Sequence, residues 1–200
     1  MKFYENSEAL LGPILKVHEW IEEAVSHSVA LPHAMNISSI NFEGKPSSRM
    51  VLLKRISQEG FVFFTDYEGN KGKQIIKSPE VALTFWWAKT NKQIRIEGLC
   101  SKVSDRENDA YFSSRPKGSQ ISASVSLQSE VLESYEELVA KSEKFESEYQ
   151  DKEIIRPARW GGFIVEPASI EFWIDQINRL HKRELFSKTG TEWKKELLSP

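Results

Sequence analysis

Apolar positions fall into two periodicities along the chain. Over 13–29, Ile14, Val17, Ile21, Ala24 and Val25 recur at helical spacing behind Pro13. Proline suits a first helical turn, where its missing N–H has no partner to lose. The pattern then switches to strand-like runs, at Met35–Phe42, at Ser47–Ser57 and in "FVFFTD" (61–66), with turns at "EGKP" and "QEG". "GNKGKQIIKSP" reads as a loop entering a short helix that Pro79 stops. Val81–Ala88 and Gln93–Val103 form a hairpin around "KTNK". The spacing of Ser104 and Glu107 matches a capping box, so a helix begins there, and Pro116 kinks or ends it. A charged amphipathic helix spans 134–149, with Tyr135, Leu138, Val139, Phe145 and Tyr149 toward the core. Strands close the chain: "WGGFIVEP", "SIEFWI", "RLHKRELF", and one around Trp193 after the turn "KTGT".

Six to eight mostly antiparallel strands with helices outside them predict a mainly β, α+β domain. Short strands joined by tight turns favour a closed or nearly closed barrel, which removes sheet edges. The expected organisation is a short N-terminal segment, 1–12, and a single domain over 13–200.

Composition narrows the function classes. Apolar residues are 40% and charged residues 28%, as in an ordinary globular protein, and the net charge of −2 speaks against nucleic acid as the partner. The one cysteine, Cys100, excludes an intrachain disulfide and points to a reducing compartment. The start lacks a signal-type apolar region, and runs such as "VALTFWWA" are too short to span a bilayer. A cytoplasmic location is the expectation.

His18, His27, His33 and His181 have no metal-ligand spacing, and neither a P-loop nor a G-x-G-x-x-G is present. What remains is basic and hydroxyl chemistry beside strands. Arg49 and Lys54 share the second predicted strand, but alternation puts them on opposite faces unless a bulge or a subunit interface intervenes. Thr65 follows, then Lys71 at a helix entry, where free N–H groups attract phosphate. Tyr111, Arg115 and Ser119 are four residues apart, which on a helix gives one face of phosphate-oxygen donors, made approximate by Pro116. In "NRLHKREL", a strand puts Arg179, His181 and Arg183 on one side. Such a row either guards a sheet edge or receives an anionic ligand. Trp173 precedes it and can line a flat aromatic ligand.

Taken in order, these segments resemble the pyridoxamine 5′-phosphate oxidase family. The matches are "RMVLLK" (49–54), "FVFFT" with "NKGKQI" (61–75), "KQIRIEG" (92–98), "AYFSSRPKGSQISASVSLQS" (110–129), "WGGFIVEP" (160–167), and "IEFW" with "RLHKR" (170–183). The resemblance implies a six-stranded antiparallel split β-barrel, homodimeric, with FMN at the subunit interface. It implies oxidation of pyridoxamine or pyridoxine 5′-phosphate to pyridoxal 5′-phosphate, with O2 as acceptor and H2O2 as product. Carried over by match, the FMN positions are Arg49, Met50, Val51, Leu52, Leu53, Lys54, Phe64, Thr65, Lys71, Gln93, Gln128, Ser129, Trp173 and Arg183. The substrate positions are Lys54, Tyr111, Arg115 and Ser119 for the phosphate, with Arg179 and His181 over the pyridine ring as the catalytic pair. The alternatives are a related flavin oxidase of the phenazine-pathway type, or a non-catalytic FMN- or pyridoxal phosphate-binding split barrel.

Five departures stand out against the family pattern. Asn70 replaces an arginine, Phe64 a tyrosine, and Lys182 an acid. The loop "IDQIN" before Arg179 lacks the usual glycine. The short segment ahead of the first helix leaves fewer residues to close over a site.

Overall fold

A computed structural model of the chain describes residues 10–200. Most of the expected 1–12 segment lies outside the described residues. The first helix, α1, runs Gly12–Ser26, and Ile14, Val17, Ile21 and Ala24 are fully buried along its inner face. It ends before residue 29 because Ser28 takes a left-handed φ of 52° and Val29 N–H turns back to the Ala24 carbonyl at 3.0 Å.

Nine strands form one antiparallel sheet: β1 Ala34–Ile40, β2 Pro46–Leu52, β3 Arg55–Ser57, β4 Gly60–Asp66, β5 Glu80–Trp87, β6 Lys92–Lys102, β7 Trp160–Ile174, β8 Lys182–Thr189 and β9 Glu192–Leu198. The main path runs β2-β1-β5-β6-β7-β4-β3, with the β8–β9 hairpin attached to β7. The ends of that path, β2 and β3, are joined through Leu53 and Lys54 alone, so the sheet must curl into a half-barrel. Helices α2 (Asn70–Lys77), α3 (Asp105–Ser113), α4 (Lys117–Val125) and α5 (Tyr135–Glu148) lie outside the strands in sequence.

The count of nine corrects the six implied by the resemblance, and the strand bounds move in two places. The predicted strand 47–57 breaks where Leu53 N–H pairs with the His33 carbonyl at 2.9 Å and Lys54 N–H with the Val62 carbonyl at 2.8 Å. Conversely, "WGGFIVEP" and "SIEFWI" are one strand. Pro167 lacks an N–H, but it faces a register shift at Glu97/Gly98, and a bulge tolerates the missing donor. β7 is long enough to pair with β4 through its first half and β8 through its second.

Three further expectations change. Ser104 Oγ does accept from Glu107 N–H at 3.2 Å, but the Glu107 carboxylate pairs with Arg55 at 2.9 Å instead of closing a capping box. Pro116 is the N-cap of α4, so Tyr111, Arg115 and Ser119 do not share one helix. α5 buries no residue, and Tyr135 is exposed; only Phe145 and Tyr149 pack inward, against a minor core of Phe112, Ile121, Ile154 and Trp160. The main core lies between α1 and the concave side of the sheet, with Met35, Ile37, Leu83, Phe85, Ile94, Ile96 and Ile170 fully buried. No helix among the described residues is long and apolar enough to cross a membrane.

Candidate functional site

Two cation clusters lie beside β4, one on each side of the Phe64–Thr65 step. In the first, Arg49 Nη1 donates to Ser39 Oγ at 2.8 Å, and Nη2 donates to Ser47 Oγ at 2.8 Å and Gln74 Oε1 at 2.7 Å. Lys71, in the first turn of α2, donates to Thr65 Oγ1 at 3.0 Å and to Gln128 Oε1, while Thr65 Oγ1 donates to Gln128 Oε1 at 2.9 Å. Ser129 Oγ accepts from Asn70 N–H at 3.2 Å. Burial pushes Arg49 and Lys71 below their ordinary pKa values, and the charge of Arg49 lowers Lys71 further.

In the second cluster, Phe64, Tyr111 and Trp160 stack in parallel, with Phe64–Tyr111 centroids 3.9 Å apart. The Arg115 guanidinium lies 4.5 Å from the Trp160 ring. Burial and the charge of Arg115 push Lys54 below the usual lysine range, and burial pushes the Tyr111 phenol up. Arg115 Nη1 is fully buried with no hydrogen-bond partner among the described residues. The strand break at Leu53–Lys54 releases Lys54 from the alternation that sets it opposite Arg49. Ser119 is half-buried in the first turn of α4.

Among the described residues, Arg49, Lys71, Lys54 and Arg115 form no ion pair. Asp66, whose charge acts on Lys71, is engaged by Arg159 at 3.0 Å. Arg159 Nη2 also donates to the carbonyls of Ala123, Ser124 and Ser126, which holds the chain leading to Gln128. A cavity of about 130 Å³ is lined by Arg115, Gln128, Asp66 and Trp160, so it touches both clusters. Half-buried like charges that make no ion pair repel one another unless an anion joins them. Guanidinium, ammonium, hydroxyl and amide groups converge at both clusters, a chemistry that can hold the oxygens of an anionic group such as a phosphate.

A third group lies elsewhere. Trp86, Gln93, Trp173, Arg183 and Leu198 are directly opposed across β5, β6, β7, β8 and β9. His181 stands against Trp173 with centroids 4.5 Å apart. Glu171 is buried and holds Arg183 Nε at 2.7 Å and Arg95 at 3.2 Å. This row is on the opposite face of the sheet from Arg49, whose own cross-strand row is Ile37, Leu83, Ile96 and Ile170, all in the core. Trp160 and Trp173 are also the two ends of β7 with thirteen residues of advance between them, roughly 43 Å of extended strand. One chain therefore does not bring the third group to the first two.

The expected row on a "RLHKRELF" strand is corrected. β8 begins only at Lys182, and Arg179 ends a short 3₁₀ turn, Ile177–Arg179, in which Asn178 and Arg179 have φ of 58° and 62°. Arg179 is exposed at that turn. Within 49–54, Met50 (62% exposed) and Leu52 face outward, while Leu53 is buried and Val51 packs on the core. Sequence reasoning missed Ser39, Ser47 and Gln74 around Arg49, Trp160 under Arg115, Trp86 beside Trp173, and Glu171. Gln74 had a signal, lying three residues after Lys71 on one helix. Trp86 had one too, since the hairpin pairs it with Gln93.

Comparison with known proteins shows the family. Residues 21–149 match the family model for pyridoxamine 5′-phosphate oxidase, and 160–200 match the pyridoxine 5′-phosphate oxidase C-terminal dimerisation region. A pyridoxine/pyridoxamine 5′-phosphate oxidase of Nostoc punctiforme is 45% identical over 195 residues, covering 96% of this chain and 91% of that one. Its counterpart in Rubrobacter xylanophilus is 42% identical, covering 94% and 87%. Among solved structures, PhzG from Burkholderia lata in complex with tetrahydrophenazine-1-carboxylic acid superposes with a TM-score of 0.90 at 28% identity, covering 94% of this chain and 92% of that one.

Proposed function

This chain belongs to the pyridoxamine 5′-phosphate oxidase family, and from that premise we propose that it is an FMN-dependent oxidase of vitamin B6 metabolism. It converts pyridoxamine or pyridoxine 5′-phosphate to pyridoxal 5′-phosphate, reducing O2 to H2O2. The observation that carries this reading is the pair of cation clusters whose Arg49, Lys71, Lys54 and Arg115 form no ion pair among the described residues, because cofactor and substrate each bring one phosphate.

Arg49 and Lys71, with Thr65, Gln128 and Ser129, hold the flavin phosphate. Phe64 and the run Met50 to Lys54 border the flavin. Lys54, Tyr111, Arg115 and Ser119 hold the substrate phosphate, and the orphaned Arg115 Nη1 gains a partner there. Gln93, Trp173 and Arg183 complete the flavin site from the second chain of a homodimer. That arrangement meets the separation of the third group from the first two within one chain. Arg179 and His181 come with that second chain and orient the pyridine ring. FMN, when bound, supplies the hydride acceptor and the route of electrons to O2. The protein contributes binding, stacking geometry and fixed charge.

The test is turnover in air with added FMN and pyridoxamine 5′-phosphate, following pyridoxal 5′-phosphate and peroxide. The reading predicts many turnovers per flavin, lost in Arg179→Ala. Bound FMN without product contradicts it. The second reading, a flavin oxidase of the phenazine-pathway type, is favoured by the superposition on PhzG, and the altered residues 174–178 and Lys182 adjoin the ring-facing pair. Oxidation of a reduced phenazine carboxylate instead of the B6 phosphates would select it. FMN binding with neither oxidation would leave a binding protein.

A further inference from the structure

Asp175 and His181 meet across the turn that leads from β7 into β8. Asp175 Oδ1 lies 2.9 Å from His181 Nδ1. The turn makes this meeting possible: Asn178 and Arg179 are both left-handed, and Leu180 N–H closes on the Ile177 carbonyl at 3.3 Å. Asp175 is fixed from behind, its N–H donating to the Asn91 carbonyl at 3.0 Å. The imidazole is fixed from the side by Trp173. Its side chain is 16% exposed.

A second group competes for the same nitrogen. Gln176 N–H points at His181 Nδ1 from 3.3 Å. Nδ1 either carries a proton and donates to the carboxylate, or carries a lone pair and accepts from the amide. A hydrogen bond to an ionised carboxylate is shorter and stronger than one between neutral groups, and the carboxylate contact is the shorter here.

We propose that Asp175 is a positioning residue that sets the tautomer of His181, holding the proton on Nδ1 and leaving Nε2 as the nitrogen offered to a ligand. Nε2 of the neutral ring is then an acceptor, suited to a hydroxyl or amine donor on the substrate ring. The functional part of this inference rests on the reading of His181 as a substrate-facing residue. Asp175 lies in the loop 174–178, which lacks the glycine usual in the family pattern.

The experiment is 15N NMR of the FMN-loaded protein, labelled at histidine and measured at a pH where the ring is neutral. The chain has four histidines, so loss of one signal set in His181→Asn assigns the ring. Wild type should show a protonated Nδ1 and an unprotonated Nε2. In Asp175→Ala the Gln176 amide is left to donate to Nδ1, so the proton should move to Nε2, and Asp175→Glu should return it to Nδ1. KM for pyridoxamine 5′-phosphate should rise about tenfold in Asp175→Ala, the size of one lost charge-assisted hydrogen bond. A wild-type proton on Nε2, or an unchanged tautomer in Asp175→Ala, would overturn the proposal; the wild-type spectrum decides this even if the variant folds poorly. A tautomer that reverses with unchanged kinetics upholds the role of Asp175 and removes His181 from the substrate site.

Discussion

In the proposed flavin-phosphate site, the neighbours Asn70 and Lys71 set the strength of binding. Asn70 opens α2, is exposed, and uses its backbone N–H on Ser129 Oγ. An arginine there would add a third donor beside Arg49 and Lys71. Asn70→Arg should therefore lower the FMN dissociation constant about tenfold, measured by quenching of flavin fluorescence. An unchanged constant would remove Asn70 from the account. Lys71 carries a pH signature. Burial first, and Arg49 second, hold it below the usual lysine range. A lysine lowered in the folded state costs stability while protonated, and that cost is relieved as pH rises from its folded value toward the unfolded one, about 10.4. Flavin-free wild type should thus gain stability relative to Lys71→Met as pH rises toward about 10.4 in urea unfolding. The opposite trend would mean that the charge of Asp66 outweighs burial and Arg49 at Lys71. At this scale the basic residues were legible because phosphate chemistry uses few side-chain types. Their neutral partners, Ser39, Ser47 and Gln74, were not legible: serine and glutamine occur everywhere, and only the register of β1 with β2 and the turn of α2 bring them to Arg49.

The step from β4 to β7 is the element on which both clusters depend. Gly161 and Gly162 pair with Thr65 and Phe64, and side chains of the neighbouring layer cross directly over them. A Cβ on Gly161 would stand 2.3 Å from Tyr67 Oη. That hydroxyl donates to the Gly162 carbonyl at 2.9 Å and accepts from Asn108 Nδ2 at 3.2 Å, while Asn108 Oδ1 accepts from Gly162 N–H at 2.7 Å. Gly161→Ala must displace the ring and break this buried network, which should cost about 3 kcal/mol in urea unfolding and weaken FMN binding. A loss below about 0.5 kcal/mol would show that Tyr67 moves freely. The elements themselves were largely legible, because alternation and turn residues mark β1, β4, β5 and β6. The misreadings came where a long-range partner overrode a local signal. Pro167 looked like a strand end, but the bulge at Gly98 lets β7 continue. The alternation in "RLHKREL" looked like one strand, but a left-handed Asn178–Arg179 pair turns the chain before β8 starts. α5 carries a helical apolar pattern, yet it packs inward only through Phe145 and the capping Tyr149.

At the scale of the whole molecule, the sequence orders the site residues but does not say which of them one chain can bring together. Arg49 and Trp173 sit on opposite faces of the sheet, and Trp160 and Trp173 at opposite ends of β7. The proposed site is therefore built by two chains: the cation clusters from one, the row Gln93, Trp173, Arg183 with Arg179 and His181 from the other. The most direct measurement is complementation between two inactive variants, Arg115→Ala and Arg179→Ala, unfolded together, refolded with FMN, and assayed for oxidation of pyridoxamine 5′-phosphate. Random pairing makes half of the dimers mixed, and each mixed dimer has one site with both residues intact. The mixture should recover about a quarter of wild-type activity. Recovery of none, with mixed dimers demonstrated, would contradict the shared site and place both residues in the same chain's half.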